Sequence, residues 1–343
     1  MGAQLGDKPA QTPTPTLEMV AALSGVSRAT VSRVVNGSLT VTPDIVEAVN
    51  RAIAELNYVP NRAARMLASR RTQAIALIVP ESSAKVFADP FFAQLVQGVA
   101  LHLADTEYTL TMLIESETNS EKTRRYLLGG NVDGALVVSH HTGDHSYARL
   151  SGSLPIVYGG RPLLPDDGET LYIDVDNSGG AMAATEHLIG LGRTRIATIA
   201  GPVDMPPGVD RLLGWRRAME ERGLDDSLVE QGDFTLASGA EAMRRLLERD
   251  PRIDAVFAAN DQMAAGAYQA IAEAGRRVPD DVAVVGFDDN YFAETATPQL
   301  TTVHQPSVEM GAAMAALLVQ VIEGKPYEPH SVLQTTLVRR ASA

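Results

Sequence analysis

Polar and aromatic side chains stand where the strand-length apolar runs of this chain end. The polar members are carboxylates, amides and guanidinium groups: Asp89, Arg161, Arg211, Asn260, Asp288 and Gln305. Phe91, Tyr158 and Phe234 supply flat apolar faces at similar positions. Because ligands of open α/β sheets bind outside the carboxyl ends of the strands, these side chains predict one binding cleft. Planar polar groups beside aromatic faces suit a ligand dense in hydroxyl groups, and we expect a sugar.

Each of these polar residues, taken singly, also has a second interpretation. Asp, Asn and Ser are common in turns and at helix N-caps, where the side chain serves the neighbouring backbone. Because polar residues follow five of the apolar runs, the binding-site interpretation is favoured for the set as a whole.

Enzymatic interpretations find little support at the same positions. No H-E-x-x-H, G-x-S-x-G, P-loop or G-x-G-x-x-G motif follows a strand-like run. The HHTGDH segment, residues 140–145, reads as a solvent loop rather than a metal site. Asp288 and Asp289 could resemble a glycosidase pair, but neighbouring residues at a strand end point apart, so at most one faces a ligand. We expect no catalytic residue, no metal and no cofactor.

The composition describes a globular chain of 343 residues, 45% hydrophobic and 21% charged. The lack of cysteine excludes disulfides, a cysteine nucleophile, a zinc finger and an iron–sulfur cluster, and it permits a reducing compartment. The first residues lack the apolar core of a signal peptide, and no run of about 18 apolar residues follows. These features predict a cytoplasmic protein that does not contact a membrane.

Charge is distributed unevenly along the chain. The whole sequence carries a net charge of −13, which by itself argues against a nucleic-acid partner. Residues 1–71, however, carry eight Lys or Arg and five Asp or Glu, a net charge of +3, and the remainder carries −16. A basic head on an acidic body fits a protein whose first domain meets a polyanion.

The first 60 residues predict short helices after a tail rich in Pro and Thr. LEMVAALSG predicts a helix that ends at Gly25, and Ser27 caps a second helix, RATVSRVVNG. Thr42 and Pro43 then open PDIVEAVNRAIAELNY, whose apolar residues recur at helical spacing. Two short helices around a Gly-Val-Ser turn, with a third behind them, form the predicted head.

From Ala74 onward, apolar runs alternate with helical segments. The runs are AIALIV, YTLTMLI, GALVVS, PIVYG, RIATIAG, DAVFAA and VAVVGF. This alternation indicates parallel sheets wrapped by helices, arranged as two doubly wound units.

The segment TLEMVAALSGVSRATVSRVVNG, with YVPNRAARMLASRRT after it, resembles the lactose repressor and galactose repressor family of bacterial transcription regulators. Family-like stretches continue through the body: DPFFAQLVQGV, HLIGLGRTRIATIAGP, AVFAANDQMAAGA, VAVVGFDD and LTTVHQP. The likeness covers residues 16–341. It implies a small all-α helix-turn-helix domain, a hinge helix and an α/β periplasmic-binding-protein-like core of two doubly wound subdomains, working as a homodimer.

Carried over by position, the resemblance places six residues of the second helix on DNA: Arg28, Ala29, Thr30, Ser32, Arg33 and Asn36. Arg28, Ala29 and Arg33 would read base edges in the major groove, and the other three would touch phosphate. Arginine can take a guanine bidentately, whereas Ala29 offers only a methyl contact, for example to thymine.

The resemblance also assigns a hinge helix to residues 61–69, with four DNA-binding positions: Asn61, Arg62, Ala64 and Leu67. Leu67 would wedge into the central minor-groove step and kink the DNA.

For the effector, the family pattern puts Arg211, Asn260, Asp288 and Gln305 on sugar hydroxyls, with Phe234 at the stacking position. The chain departs from the lactose repressor at VYGGR, residues 157–161, where that protein has a carboxylate, and this suggests a roomier or differently polar cleft. The combination of YGGRPL, IDVDN, ATIAGPVDM and GDFT looks most like the cellobiose-responsive branch. The resemblance therefore implies a β-linked glucose disaccharide as inducer.

These observations predict a repressor of carbohydrate-utilisation genes that binds a pseudo-palindromic operator and leaves it when a sugar, cellobiose or a related β-linked oligosaccharide, is bound. The predicted organisation is a tail (1–15), a helix-turn-helix domain (16–60), a hinge helix and linker (61–71) and an effector-binding and dimerisation domain (72–343). No leucine heptads follow the last strand-like run, which favours a dimer. Two alternatives stay open: a repressor of this family that answers to another small molecule, and a sugar-binding protein without regulatory role.

Overall fold

The computed structural model describes residues 15–35, 40–59, 71–114, 120–142, 150–162 and 170–343. The chain divides into two compact units, Met1–Thr72 and Gln73–Ala343. The first unit contains the helical head, and the second contains the α/β body.

Three helices form the described part of the head: α1 (Leu17–Ser24), α2 (Arg28–Val35) and α3 (Pro43–Leu56). Val20, Val31 and Val49, one from each helix, are fully buried and pack together. Because each helix buries one apolar stripe in this shared core, its opposite face is left to solvent.

The helix boundaries in the head lie close to where the sequence predicts them. Ser27 accepts a hydrogen bond from the backbone N–H of Thr30 at 3.1 Å and so caps α2. Gly25 ends α1 in the left-handed conformation, with φ at 70°. Thr42 stands at the N-cap of α3, but its side chain makes no cap hydrogen bond with the described backbone. Pro43, whose φ is already helical, therefore starts that helix without a side-chain hydrogen bond from the N-cap residue.

The described body contains two six-stranded sheets. The first consists, in spatial order, of β11 (His330–Leu333), β5 (Leu171–Val175), β4 (Ile156–Gly159), β3 (Gly134–Val138), β1 (Ala74–Val79) and β2 (Thr109–Ile114). The second consists of β12 (Thr336–Val338), β10 (Thr301–His304), β9 (Ala283–Asp288), β8 (Ala255–Ala258), β6 (Ile196–Ala200) and β7 (Val229–Gln231). All neighbours are parallel except β10 and β12.

Helices cover both faces of each sheet. Those on the first sheet are α4 (Ser83–Ala88), α5 (Pro90–Leu103), α6 (Ser120–Tyr126) and α12 (Ser307–Glu323). Those on the second are α7 (Asn177–Gly190), α8 (Pro206–Glu221), α9 (Leu236–Arg249), α10 (Asp261–Glu273) and α11 (Tyr291–Thr295). We call the first sheet with its helices the first lobe (residues 73–175 and 307–333) and the second the second lobe (residues 177–304 and 336–343).

The chain crosses between the lobes three times, after β5, after β10 and after β11. The last crossing divides SVLQTTLVRR, which the sequence presents as one strand-like run, between β11 in the first sheet and β12 in the second. In each sheet the first strand along the chain lies between the second and the third, so the topology reverses there. Such switch points, at β1/β3 and β6/β8, are where open α/β sheets bind ligands.

Two glycines let α5 and α12 cross with their backbones in contact. A Cβ atom at Gly98 would lie 1.8 Å from the carbonyl oxygen of Val308, and one at Gly311 would lie 2.1 Å from that of Leu95. Side chains at these two positions would force the helices apart and open the core of the first lobe. Among the described residues, no helix is both long and apolar enough to cross a membrane.

Candidate functional site

A cleft lies between the two lobes, at the carboxyl ends of both sheets. Seven of the eight predicted effector residues line it: Asp89, Phe91, Arg211, Phe234, Asn260, Asp288 and Gln305. The first lobe contributes Asp89 and Phe91, and the second contributes most of the others. A ligand in this cleft therefore touches both lobes at once.

Arg211, on α8, is the centre of the polar network in the cleft. Its Nε donates to Asn177 Oδ1 at 2.8 Å, and one Nη donates to Gln305 Oε1 at 2.6 Å. The other Nη donates to the carbonyl oxygen of Ala259 at 2.6 Å and to Asp288 Oδ1 at 3.3 Å. Since the guanidinium is planar, these bonds fix the plane in which its remaining N–H can meet a ligand.

Aromatic rings enclose the same guanidinium. The Phe287 ring lies 3.7 Å below its central carbon, and the Phe234 ring lies at 5.9 Å. Burial removes most of the water that would compete with these cation–π contacts. Arg211 is therefore held from beneath by a ring and from its edges by hydrogen bonds.

Asp288 and Asp289 point in different directions, as the sequence predicts. Asp288 lines the cleft, whereas Asp289 accepts hydrogen bonds from Arg340 at 2.6 Å and from His304 at 3.2 Å. Both have positive φ, 114° and 60°, which turns the chain sharply at the end of β9. Burial raises the pKa of Asp288 well above its ordinary value, and the Arg211 guanidinium opposes that effect.

Two of the predicted residues both cap a helix and line the cleft. Asn260 Oδ1 accepts the backbone N–H of Met263 at 2.9 Å, and Asn260 Nδ2 donates to the carbonyl oxygen of Phe234 at 3.0 Å. Asp89 accepts the backbone N–H of Phe91 at 3.0 Å at the start of α5. For these residues, a helix-cap role and a place in the cleft lining are therefore compatible.

Phe234 needs a glycine opposite its ring. A Cβ atom at Gly201, just after β6, would lie 2.4 Å from Phe234 Cζ. Phe234 itself has φ at 71°, a left-handed conformation that is costly for a bulky residue. Local strain at a residue that lines the cleft is typical of a functional position.

Several lining residues are missing from the sequence prediction: Lys85, Phe92, Ser139, His140, Gly159, Gly160, Asp174, Val175, Asn177, Met205, Pro206, Pro207 and Met310. Asp174 and Asn177 escape notice because the prediction omits β5, whose apolar run is interrupted by the buried Asp174. Asp174 accepts hydrogen bonds from the Asn177 amide at 3.1 Å and from the backbone N–H of Arg161 at 3.0 Å. The strand LYIDV contains a signal that could have found them, because apolar residues alternate with Asp174 directly before Asp176 and Asn177.

Two of the residues that the sequence predicts for the cleft, Arg161 and Tyr158, do not line it in the structure. The Arg161 guanidinium does not line the cleft; it forms a bidentate ion pair with Asp210 of the second lobe, at the cleft mouth. Tyr158 packs into the core on one face of the first sheet, with the His140 ring at 5.3 Å. Alternation along β4 explains this placement, because residue 158 and its neighbours face opposite sides of the sheet.

The HHTGDH segment is not a solvent loop in its described part. His140 is buried beside the cleft, and His141 Nδ1 lies 2.8 Å from Asp204 Oδ2. Asp144 and His145 lie outside the described residues. Among the residues that the structure does describe, no group of three or more His, Cys, Asp or Glu could hold a metal ion.

In the head, α2 exposes the residues that the sequence assigns to base recognition. Arg28, Ala29 and Arg33 are exposed, while Val31 on the same helix is fully buried. Arg28 forms a surface ion pair with Glu18 at 3.2 Å. Thr30 and Ser32 are half-buried on the same helix. The predicted DNA contacts Asn36, Asn61, Arg62, Ala64 and Leu67 lie outside the described residues.

Comparison with known proteins identifies the family. The model described as "Bacterial regulatory proteins, lacI family" matches residues 16–61, and that of a "Periplasmic binding protein-like domain" matches residues 185–343. The HTH-type transcriptional regulator CelR of Thermobifida fusca is 51% identical over 333 residues, 96% of this chain and 98% of that protein. The chain belongs to the LacI family. It is a DNA-binding transcriptional regulator, and the predicted family and fold class are confirmed.

Other members of the LacI family match over the same length. The ribose operon repressor of Escherichia coli K12 is 38% identical over 337 residues, 96% of this chain and 99% of the repressor. A solved complex of the regulator CelR with cellobiose superposes with a TM-score of 0.77 at 49% identity, covering 96% of this chain and all of that one. A lac repressor dimer bound to operator and an anti-inducer gives 0.83 at 29% identity, covering 96% and 98%.

Proposed function

We propose that this LacI-family protein is a dimeric, cytoplasmic repressor of carbohydrate-utilisation genes, without enzymatic activity or cofactor, and that cellobiose or a related β-linked oligosaccharide releases it from its operator. The observation that supports a sugar as the effector is the cleft itself. Arg211, Asn260, Asp288 and Gln305 offer planar polar groups from one side, and aromatic rings supply the apolar faces that sugar rings stack on. The similarity to CelR in complex with cellobiose supports this choice among sugars.

DNA binding is assigned to the head. Arg28, Ala29 and Arg33 would enter the major groove from the exposed face of α2, and Leu67 would enter the minor groove from the hinge helix. Two heads in a dimer read two half-sites, so the operator has the two-fold symmetry of the protein. The lac repressor dimer bound to operator is the structural parallel for this arrangement.

We divide the chain into domains according to these proposed functions. We assign residues 1–15 to a tail, 16–60 to the DNA-binding domain, 61–71 to the hinge helix and linker, and 72–343 to the effector-binding and dimerisation domain. Sugar bound between the lobes would change their relative angle and move the hinge attachment points apart. The expected coupling free energy is about 1–3 kcal/mol.

Fluorescence-anisotropy titration of a labelled palindromic operator at fixed salt tests the proposal. Cellobiose, ribose, maltose, lactose and xylobiose are added in parallel to the preformed complex. Release by cellobiose alone supports both the mechanism and the effector. Release by another sugar retains the mechanism and rejects cellobiose, whereas operator binding that is indifferent to every sugar contradicts the sugar-responsive function.

A further inference from the structure

Two polar contacts join the lobes at the mouth of the cleft without lining the ligand space. The first is the bidentate pair of Arg161, after β4 in the first lobe, with Asp210 on α8 in the second. The Asp210 side chain is only 14% exposed, so water screens this pair less than an ordinary surface ion pair. Its geometry requires the two lobes to lie at one particular angle.

The second contact is built around His141, after β3 in the first lobe. Its Nδ1 lies 2.8 Å from Asp204 Oδ2 of the second lobe, and its Nε2 lies 3.4 Å from Glu81 Oε1. Glu81 is held in turn by the ammonium of Lys85 at 2.7 Å. The backbone N–H of Thr142 also donates to the carbonyl oxygen of Asp204 at 2.9 Å.

Both contacts hold the same short segment of the second lobe, residues 204–210. This segment begins α8, and Met205, Pro206 and Pro207 within it line the cleft. Arg211 follows Asp210 directly. Because successive residues on a helix point about 100° apart, Asp210 faces the first lobe while Arg211 faces the ligand space.

We propose that Arg161 and His141 form a clasp with Asp210 and Asp204, and that the clasp residues are positioning residues that set sugar affinity without touching the sugar. A sugar that bridges the lobes and a clasp that bridges the lobes favour the same closed arrangement. Each therefore stabilises the other by thermodynamic linkage. Loss of the clasp lowers sugar affinity because binding must then supply the free energy of closure.

The test rests on the proposed effector and uses the full-length chain with two readouts. Cellobiose affinity is measured by calorimetry for wild type, Arg161→Gln, Asp210→Asn and the charge-swapped double variant Arg161→Asp with Asp210→Arg. Hydrogen–deuterium exchange at the Thr142 amide, without any sugar, reports closure directly. Arg245→Gln is the matched control, because Arg245 pairs with Glu230 and Glu241 inside the second lobe alone.

Each single clasp variant is expected to weaken cellobiose binding about three- to tenfold and to speed exchange at Thr142 by a similar factor, with the unfolding midpoint near that of the control. The charge-swapped pair is expected to recover both readouts. Wild-type affinity together with wild-type exchange in both single variants overturns the clasp, as does a swapped pair that recovers neither. Wild-type protein that binds no cellobiose rejects the proposed effector, and exchange at Thr142 then decides the clasp alone.

Discussion

Arg211 is the residue on which most of the cleft geometry depends. Its guanidinium donates to groups from four separate segments: Asn177 after β5, Ala259 after β8, Asp288 at the end of β9, and Gln305 after β10. Asn177 and Gln305 stand at crossings between the lobes. One side chain thus ties the ligand space to two of the three connections about which the lobes can move.

Replacing Arg211 with lysine should abolish most sugar binding while the DNA-binding head stays intact. An ammonium is a point charge and cannot donate to Asn177, Gln305 and Asp288 in one plane. Loss of at least two charge-assisted hydrogen bonds is expected to weaken cellobiose binding at least about 100-fold. Operator affinity without sugar should stay near wild type in anisotropy titrations, with Arg245→Lys as control. Wild-type cellobiose affinity in Arg211→Lys would exclude this role.

The charge of His141 makes part of the stability pH-dependent. Its hydrogen bonds to Glu81 and then to Asp204 raise the pKa of His141 from 6.5 to about 9, although burial opposes the shift. A pKa that is higher in the folded state stabilises the fold while the imidazole is protonated. That contribution is complete below pH 6.5 and is lost as the pH rises through about 9.

Urea unfolding of wild type and His141→Gln between pH 6 and pH 9.5 measures this contribution. The wild type should be more stable at pH 6, and the difference in the free energy of unfolding should shrink as the pH approaches about 9. A difference that stays constant over the whole range would contradict a charged His141 between the two carboxylates.

At the scale of elements, the helical period of α2 places the residues that pack in the core and the residues that are exposed on different faces. Val31 anchors the helix in the core of the head, and Val34 and Val35 pack against the same core, whereas Arg28, Ala29 and Arg33 are exposed. The helix therefore presents Arg28, Ala29 and Arg33 to solvent without losing its packing.

Arg33→Ala should reduce operator affinity and relax base preference at one position of each half-site. The expected loss is about 1–3 kcal/mol per bidentate contact, measured by anisotropy against the operator and single-base variants of it. Arg51→Ala is the control, because Arg51 on α3 is also exposed and pairs only with Glu47 among the described residues. Equal losses for Arg33→Ala and Arg51→Ala would indicate a general charge effect instead of base reading.

The elements could be predicted from the sequence where one local pattern decides the structure. The buried parallel strands β1, β3, β6, β8 and β9 are continuous apolar runs, and the sequence presents each of them. β5 is missed because the buried Asp174 interrupts its apolar run. The Asp174 carboxylate accepts hydrogen bonds from the backbone N–H of Arg161 and the side-chain amide of Asn177, and no local pattern in the sequence predicts these bonds. The division of SVLQTTLVRR between two sheets depends on tertiary structure, and no local sequence pattern predicts it.

At the scale of the whole molecule, the candidate site could also be predicted from the sequence only in part. Residues that follow predicted strands, such as Asn260 and Asp288, are found in the cleft. Arg161 also follows a strand, but it pairs with Asp210, 49 residues away in sequence, because the arrangement of the lobes brings the two together. Strand-end position thus predicts which residues approach the cleft, whereas strand alternation and contacts between the lobes decide which of them line it.

In the proposed mechanism, sugar and operator communicate through the relative angle of the lobes. In the proposed mechanism, sugar contacts both lobes, and the operator holds the hinge segments that precede the first lobe in the chain. Each ligand then favours a different relative angle of the lobes. By linkage, the factor by which cellobiose weakens operator binding must equal the factor by which operator weakens cellobiose binding.

The most direct test is a calorimetric titration of cellobiose into the full-length protein, first free and then saturated with operator, at one salt concentration. Cellobiose is expected to bind the operator complex more weakly by about 5- to 150-fold, and by the same factor that it weakens operator binding in anisotropy. Equal cellobiose affinity with and without operator would contradict the account, because the cleft and the DNA-binding head would then be uncoupled.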